Sequence, residues 1–503
     1  MDLLNAAIIS QNSGGSNGGG SNGGSSNGGT VDVGSLSETL QSWATAQSAI
    51  GQETNTLLSL IARAVSEDAS GQITDFQTIQ SYLRAGQISR ILSVGDQLRV
   101  NRLDSVSATV SGNITAAAVD AETFLTMTRH PETASFTFTY DGSGWSLRDA
   151  SGTVRPVELA AYGITVTGTP AANDVITVHE TASTLLWDVL GIDCDTPADA
   201  QRTHALTLGL HDCDDEIMIF DGREALFYFA EGLSAGTYNF TVAEHYWVSD
   251  DVGKTFQFTL TQEIPAGGSF VLSASYNSSI AGSTAKTYSS AFSTSAIDTV
   301  TITEGDEGTS LGSVGNSISG GTNSLQRVLA GNNNFAQSEI RQYINSTSEV
   351  GSVWSPQNVW DRVPSWINTK AGFLRGLDKG FLSVIGEVVK TTALNSVSDG
   401  GGVATTNERF FLPSRSEVYG GNEVTGGEGA AYPYYSDYSG LNAAGNSEDD
   451  NRVKYKNGSN NPWWLRTPVS TRASLARVVT SDGAVSQILA YSVAGVSPAC
   501  CIV

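Results

Sequence analysis

Residues 135–147 read SFTFTYDGSGWSL. Phe136, Phe138 and Tyr140 alternate with small polar residues, Asp141-Gly142 interrupts, and Trp145 and Leu147 resume. Successive side chains in a strand point to opposite faces, so this reads as one apolar face, a tight turn and the same face again. YGITVTGTPAANDVITV (162–178) repeats the pattern around a turn at Pro170 to Asp174. AGTYNFTV (235–242) and KTFQFTLTQEIPAGGSFVLSA (254–274) alternate as strictly, as half-buried antiparallel strands do. The expected fold class is mainly β, with β-sandwich-like middle modules.

Upstream the texture differs. Residues 13–30, SGGSNGGGSNGGSSNGGT, form a flexible tether behind a short apolar peptide, MDLLNAAIISQ, which reads as a docking tag. Leu36, Leu40, Trp43, Gln47, Ile50, Thr54, Leu57, Ile61 and Ala64 alternate spacings of four and three, a heptad seam that predicts an N-terminal helical, coiled-coil-like segment. A second helix is expected in TDFQTIQSYLRAGQISRIL (74–92), followed by a turn at Gly95-Asp96 into a strand. Residues 272–324 are rich in Ser, Thr and Gly, and from about 325 the chain becomes aromatic, with short helices. The expected organisation is a docking peptide (1–12), linker (13–34), helical stalk (35–104), small β module (105–183), β-rich module (184–324) and terminal domain (325–503).

Composition narrows the function classes. The chain has 503 residues, 40% hydrophobic and 16% charged, enough apolar material for real cores. With 27 basic against 51 acidic residues its net charge is −24, which argues against nucleic acid and repels anionic membranes. No apolar run approaches the roughly 20 residues a spanning helix needs. The N-terminus lacks the basic region of a secretory signal, and four cysteines make no disulfide framework, so folding in a reducing cytoplasm is expected.

Candidate chemistry is sparse. THALTLGLHDCDDE (203–216) gathers His204, His211 and Cys213, with Cys194 upstream, but the spacings match no zinc pattern and a polar loop beside a strand is the expectation. GLSAG (232–236) has the G-x-S-x-G form without the strand-to-helix elbow that chemistry requires, and five scattered histidines argue no triad. Acidic runs such as Asp250-Asp251 read as solvated loops rather than calcium sites. No enzyme activity, metal or cofactor is expected.

The aromatic residues near the end carry more. YPYYSDY (432–438) and NPWWLRTP (461–468) place Tyr434, Tyr435, Tyr438, Trp463, Trp464 and Arg466 in one region. Adjacent tryptophans on a strand face opposite ways, so both are core only if both faces are covered. The expectation is one core anchor and one surface contact. These residues form the candidate ligand-binding set.

FFLPSRSEVYG (410–420), WWLRTP (463–468), VVTSDGAVS (478–486) and GVSPACCIV (495–503) resemble an uncharacterised C-terminal domain family. Its members read as a Leu-Ser-x-x-Glu segment, a WWLRSP box, a V-x-x-x-G hairpin and a GVRPA ending. They occur in tailed-phage and prophage structural proteins and in surface proteins of gut bacteria. The resemblance implies an α+β C-type-lectin-like terminal domain. Ser497 stands where the family carries Arg, and the adjacent Cys500 and Cys501 do not reproduce the thiol pair of formylglycine-generating enzymes, so no activity carries over.

The implied protein is a phage fibre on the virion surface, attached to a capsid or tail protein through the N-terminal peptide and expected to be a homotrimer. Its terminal domain would adhere to a host-surface glycan or protein, with no nucleic-acid or membrane partner. The alternatives are a purely structural head fibre or decoration protein and a bacterial surface adhesin.

Overall fold

The computed structural model describes residues 75–118, 134–148, 154–162, 164–222, 226–242, 251–273, 279–290, 293, 295–314, 325–326, 332–352, 363–396, 399–425, 427–435 and 451–503. The docking peptide, linker and heptad seam lie outside these residues. Among those described, the protein is mainly β.

The 135–147 stretch forms the expected hairpin. Ala134–Tyr140 pairs antiparallel with Trp145–Arg148, Tyr140 opposite Trp145. Asp141 closes the turn by accepting from the backbone N–H groups of Ser143 and Gly144 at 2.7 and 2.9 Å. Gly142, at φ 99°, takes a conformation L-residues rarely adopt.

This hairpin sits on two long strands, Gln97–Ser111 and Val175–Ile192, paired antiparallel from Gln97 opposite Asp188 to Ser111 opposite Val175. A bulge between Leu103 and Ser105 divides them. Beyond it, Ile176 and Val178 join Phe138, Leu147, Leu159 and Ile164 in a small core. On the near side, Leu98, Val100, Trp187, Val189 and Leu190 enter the largest core of the molecule. The strand changes character as its sequence does. Alternation at 175–180 gives one buried face, whereas the apolar run ending WDVLGI is buried on both.

The largest core belongs to the terminal body, which begins well before residue 325. Helix Phe76–Arg84, capped by the Asp75 side chain on the Thr78 N–H, buries Phe76, Ile79 and Leu83 there. Residues 76–103 are therefore part of a packed domain rather than of a stalk. Strand Ala499–Ile502 lies between Leu206–Leu210 and the short strands Ile385–Gly386 and Phe410–Phe411. A second sheet runs in the order Ile217–Ile219, Val493–Gly495, Trp463–Pro468, Leu475–Val479, Val485–Leu489.

The third core is an insertion. The chain leaves the second sheet at Ile219 and builds two facing sheets from strands between Leu226 and Val314, with Leu325–Gln326 added at one edge. It re-enters the terminal body at Asn332, whose N–H donates to Asp221 at 2.9 Å. Phe227, Phe240, Phe256, Phe258 and Phe270 fill the sandwich, with Phe258 and Phe270 ring centroids 4.6 Å apart. The alternating Phe256, Phe258 and Leu260 all face inward, as their period requires. The expected break at 324/325 thus falls inside a discontinuous domain. Hydrophobic patterning tells which face is buried, not which distant strand covers it.

Candidate functional site

The WWLRTP strand is buried along its whole length. Pro462 and Pro468 flank it, and its partners are Leu475–Val479 on one side and Val493–Gly495 on the other. Both sheet faces are covered, so Trp463 and Trp464 are each 0% exposed. The Trp463 indole N–H donates to the Arg452 carbonyl at 2.9 Å and that of Trp464 to the Met218 carbonyl at 2.8 Å. Phe220 packs edge-on against Trp464. The expected division into one anchor and one surface contact is corrected: both indoles are anchors, because segments on either side of the insertion, at Met218 and at Arg452, close over them.

Arg466 lies two residues further along and is also fully buried. Its guanidinium forms a two-pronged pair with Glu417, at 2.5 and 2.9 Å. The remaining N–H groups reach the carbonyls of Leu412, Glu428 and Thr391 and the Thr392 hydroxyl. A buried guanidinium needs all its donors occupied, and this cage provides for them.

Glu417 is held by its local fold. Ser414 caps the short helix Arg415–Tyr419 in a capping box, its hydroxyl accepting from the Glu417 N–H while the Glu417 carboxylate accepts from the Ser414 N–H at 2.8 Å. Burial disfavours the charged carboxylate, but the Arg466 and Lys390 charges override it and hold the group at about 2.

The same carboxylate touches Lys390. The Lys390 ammonium lies 2.5 Å from Asp195 Oδ1 and donates to the Tyr432 hydroxyl at 2.9 Å. It also sits 4.2 Å from the centre of the Phe411 ring. Tyr432 and Thr207 donate to Asp195 Oδ2 at 2.9 and 2.7 Å. Asp195, Lys390, Glu417 and Arg466 thus form a buried row of alternating charge. Glu428 adjoins it, its carboxyl pushed up by burial and held by Thr467 and the Ala393 N–H.

The tyrosines of 432–438 separate. Tyr432, outside the candidate set, joins the charge row. Tyr435 is buried, and Tyr434 packs edge-on against it, partly buried, with its hydroxyl donating to Asp188 at 2.8 Å. Tyr438 lies outside the described residues. Trp463, Trp464, Arg466 and Tyr435 therefore present no surface to a ligand. Their burial follows from partners distant in sequence, Met218 for Trp464, Arg452 for Trp463 and Glu417 for Arg466, that residue spacing does not reveal.

The histidines do not converge. His211 Nδ1 lies 2.9 Å from Asp188 and His204 Nδ1 3.0 Å from Asp193, while Cys213 is buried against Asn461. Among the described residues no group of three or more His, Cys, Asp or Glu is placed to hold a metal ion. Asp251 is buried, accepting from Ser279 and the Ile280 N–H. Two polar clefts open elsewhere, one of about 370 Å³ beside Arg102, Asp214 and Tyr343, the other of about 480 Å³ beside Arg84 and Arg202.

Residues 316–503 match DUF6273, a domain of unknown function. No curated protein matches the chain, and no solved structure does. The four sequence runs that carry the family resemblance all lie inside the DUF6273 segment, and the structure shows what they do there. SRSE supplies Ser414 and Glu417, WWLR supplies the two indoles and Arg466, and the ending supplies the central strand Ala499–Ile502. Ser497 donates to the Leu210 carbonyl at 3.0 Å. The DUF6273 segment does not complete its own core: Asp195, Thr207, Met218 and the Leu206–Leu210 strand come from before it.

Proposed function

We propose that this chain is a fibre-type virion protein of a tailed phage, non-enzymatic, whose DUF6273 domain is displayed for adhesion to a host-surface glycan or protein. The observation that carries the reading is the continuity of the described part. The small β module grows out of the terminal body through strands of 15 and 18 residues, and the sandwich is inserted into the same body, so both modules are continuous with it. A terminal domain built continuously with further β modules is what a fibre needs. Multivalency in a trimer would then make weak single-site binding sufficient. The family resemblance supplies the phage setting, the attachment through the N-terminal peptide and the C-type-lectin-like comparison.

A purely structural head fibre or decoration is the second reading. It is favoured by the burial of Trp463, Trp464, Arg466 and Tyr435, which removes most of the aromatic platform adhesion would have used. Immunogold labelling of particles tests the shared claim, and its absence from virions sinks both readings. Binding of the purified full chain to host cells separates them, since a decoration protein leaves the cells bare.

A further inference from the structure

The contact between Lys390 and Asp195 is unusual in its setting. Val388 and Val389 pair with Pro197 and Thr196, and the same antiparallel register continued by one residue sets Lys390 opposite Asp195. Both side chains are almost fully buried, at 2% and 6% exposure. They share this enclosure with the Glu417 carboxylate, the Phe411 ring and the Tyr432 hydroxyl.

We infer that Lys390 and Asp195 become joined by a side-chain amide, with Glu417 as the proton carrier. The Lys390 ammonium passes one proton to Asp195 Oδ1, 2.5 Å away, leaving a neutral amine against a neutral acid. The Nζ lone pair attacks Asp195 Cγ, forming the C–N bond as the carbonyl π pair moves onto Oδ2. The hydrogen bonds from Tyr432 and Thr207 already point at Oδ2 and stabilise the charge that develops there. Glu417 takes a second proton from Nζ and returns it to Oδ1. The C–O bond breaks, Oδ1 leaves as water and the carbonyl reforms. Amine plus acid gives amide plus water, with no oxidant or other co-reactant.

Glu417 suits the role by position, since its Oε1 touches Nζ and the two-pronged pair with Arg466 fixes it there. The bond would tie together the segments on either side of the inserted sandwich, across 195 positions of sequence. A chain whose four cysteines are all free would gain a covalent brace from it.

The test is peptide mass spectrometry of the full-length protein, purified folded, then denatured and digested with trypsin. The expected product is a branched peptide joining the Asp195 and Lys390 segments, lighter by one water than the two linear peptides together and uncut at Lys390. Lys390→Met and Asp195→Ala should each abolish it. Glu417→Gln should slow or prevent it. Two linear peptides in the wild-type digest overturn the proposal, as does a branch from Lys390 to Glu417. The wild-type digest decides even where a variant fails to fold. Full linkage in folded Glu417→Gln would remove Glu417 from the chemistry.

Discussion

Arg466 and Glu417 meet in a fully buried two-pronged pair that joins the WWLRTP strand to the capped helix after FFLP. Each residue belongs to one of the sequence runs that carry the family resemblance. The runs are therefore a fold signature, two halves of one interaction rather than a binding surface.

Arg466→Met should destabilise the protein by about 3–5 kcal/mol, because it leaves Glu417 buried beside Lys390 without its main counter-charge. Arg466→Lys should recover little, since an ammonium cannot span both carboxylate oxygens and the surrounding carbonyls. Urea unfolding of the three proteins gives the comparison. A loss under about 1 kcal/mol for Arg466→Met would show that the pair is dispensable.

Acid should unlock the same pair. The folded-state value of Glu417, about 2, lies below its ordinary one, so its contribution is present above the unfolded value and is lost as pH falls through the folded one. Melting temperature should therefore drop steeply between about pH 4.5 and 2. Glu417→Gln, less stable at neutral pH, should show a flatter curve there. Parallel curves would contradict the assignment.

His211 has the opposite sign. The hydrogen bond to Asp188 outweighs burial and raises its value, so its contribution is present at mildly acidic pH and is lost as pH rises through the folded value. The gap in melting temperature between wild type and His211→Ala should be widest near pH 5.5 and shrink towards pH 8. A histidine-resolved NMR titration should place His211 above an ordinary histidine.

Trp464→Ala should cost about 3–5 kcal/mol, as loss of a buried indole does. The folded wild type should show little acrylamide quenching of the indoles at 463 and 464. Strong quenching at either position, isolated by single-tryptophan variants, would return that residue to the surface and reopen its role as a contact.

Excision of the sandwich should spare the terminal body. The chain leaves and returns at one place, with the Asn332 N–H 2.9 Å from the Asp221 carboxylate, so a short Gly/Ser bridge from residue 222 to 332 closes the gap. Ala473, which packs into the sandwich, becomes exposed but offers little apolar area. The shortened protein should still unfold cooperatively in denaturant. A non-cooperative transition would mean that the insertion is needed for the body to fold.

The alternation at 135–147, 236–242 and 255–260 was enough to specify strands and their buried faces, because a period of two leaves no other way to cover one side. The helix at 76–84 and the turn at Asp141-Gly142 were equally local, resting on a capping aspartate and a glycine of positive φ. The partners were not local. What covers the second face of WWLRTP, opposes Lys390 with Asp195, or places residue 76 in the same core as residue 502 depends on contacts hundreds of residues apart. Hydrophobic period carries no address for such contacts. For that reason the tryptophan expected at the surface and the arginine of the candidate ligand-binding set are, in the folded chain, as buried as the tryptophan expected in the core.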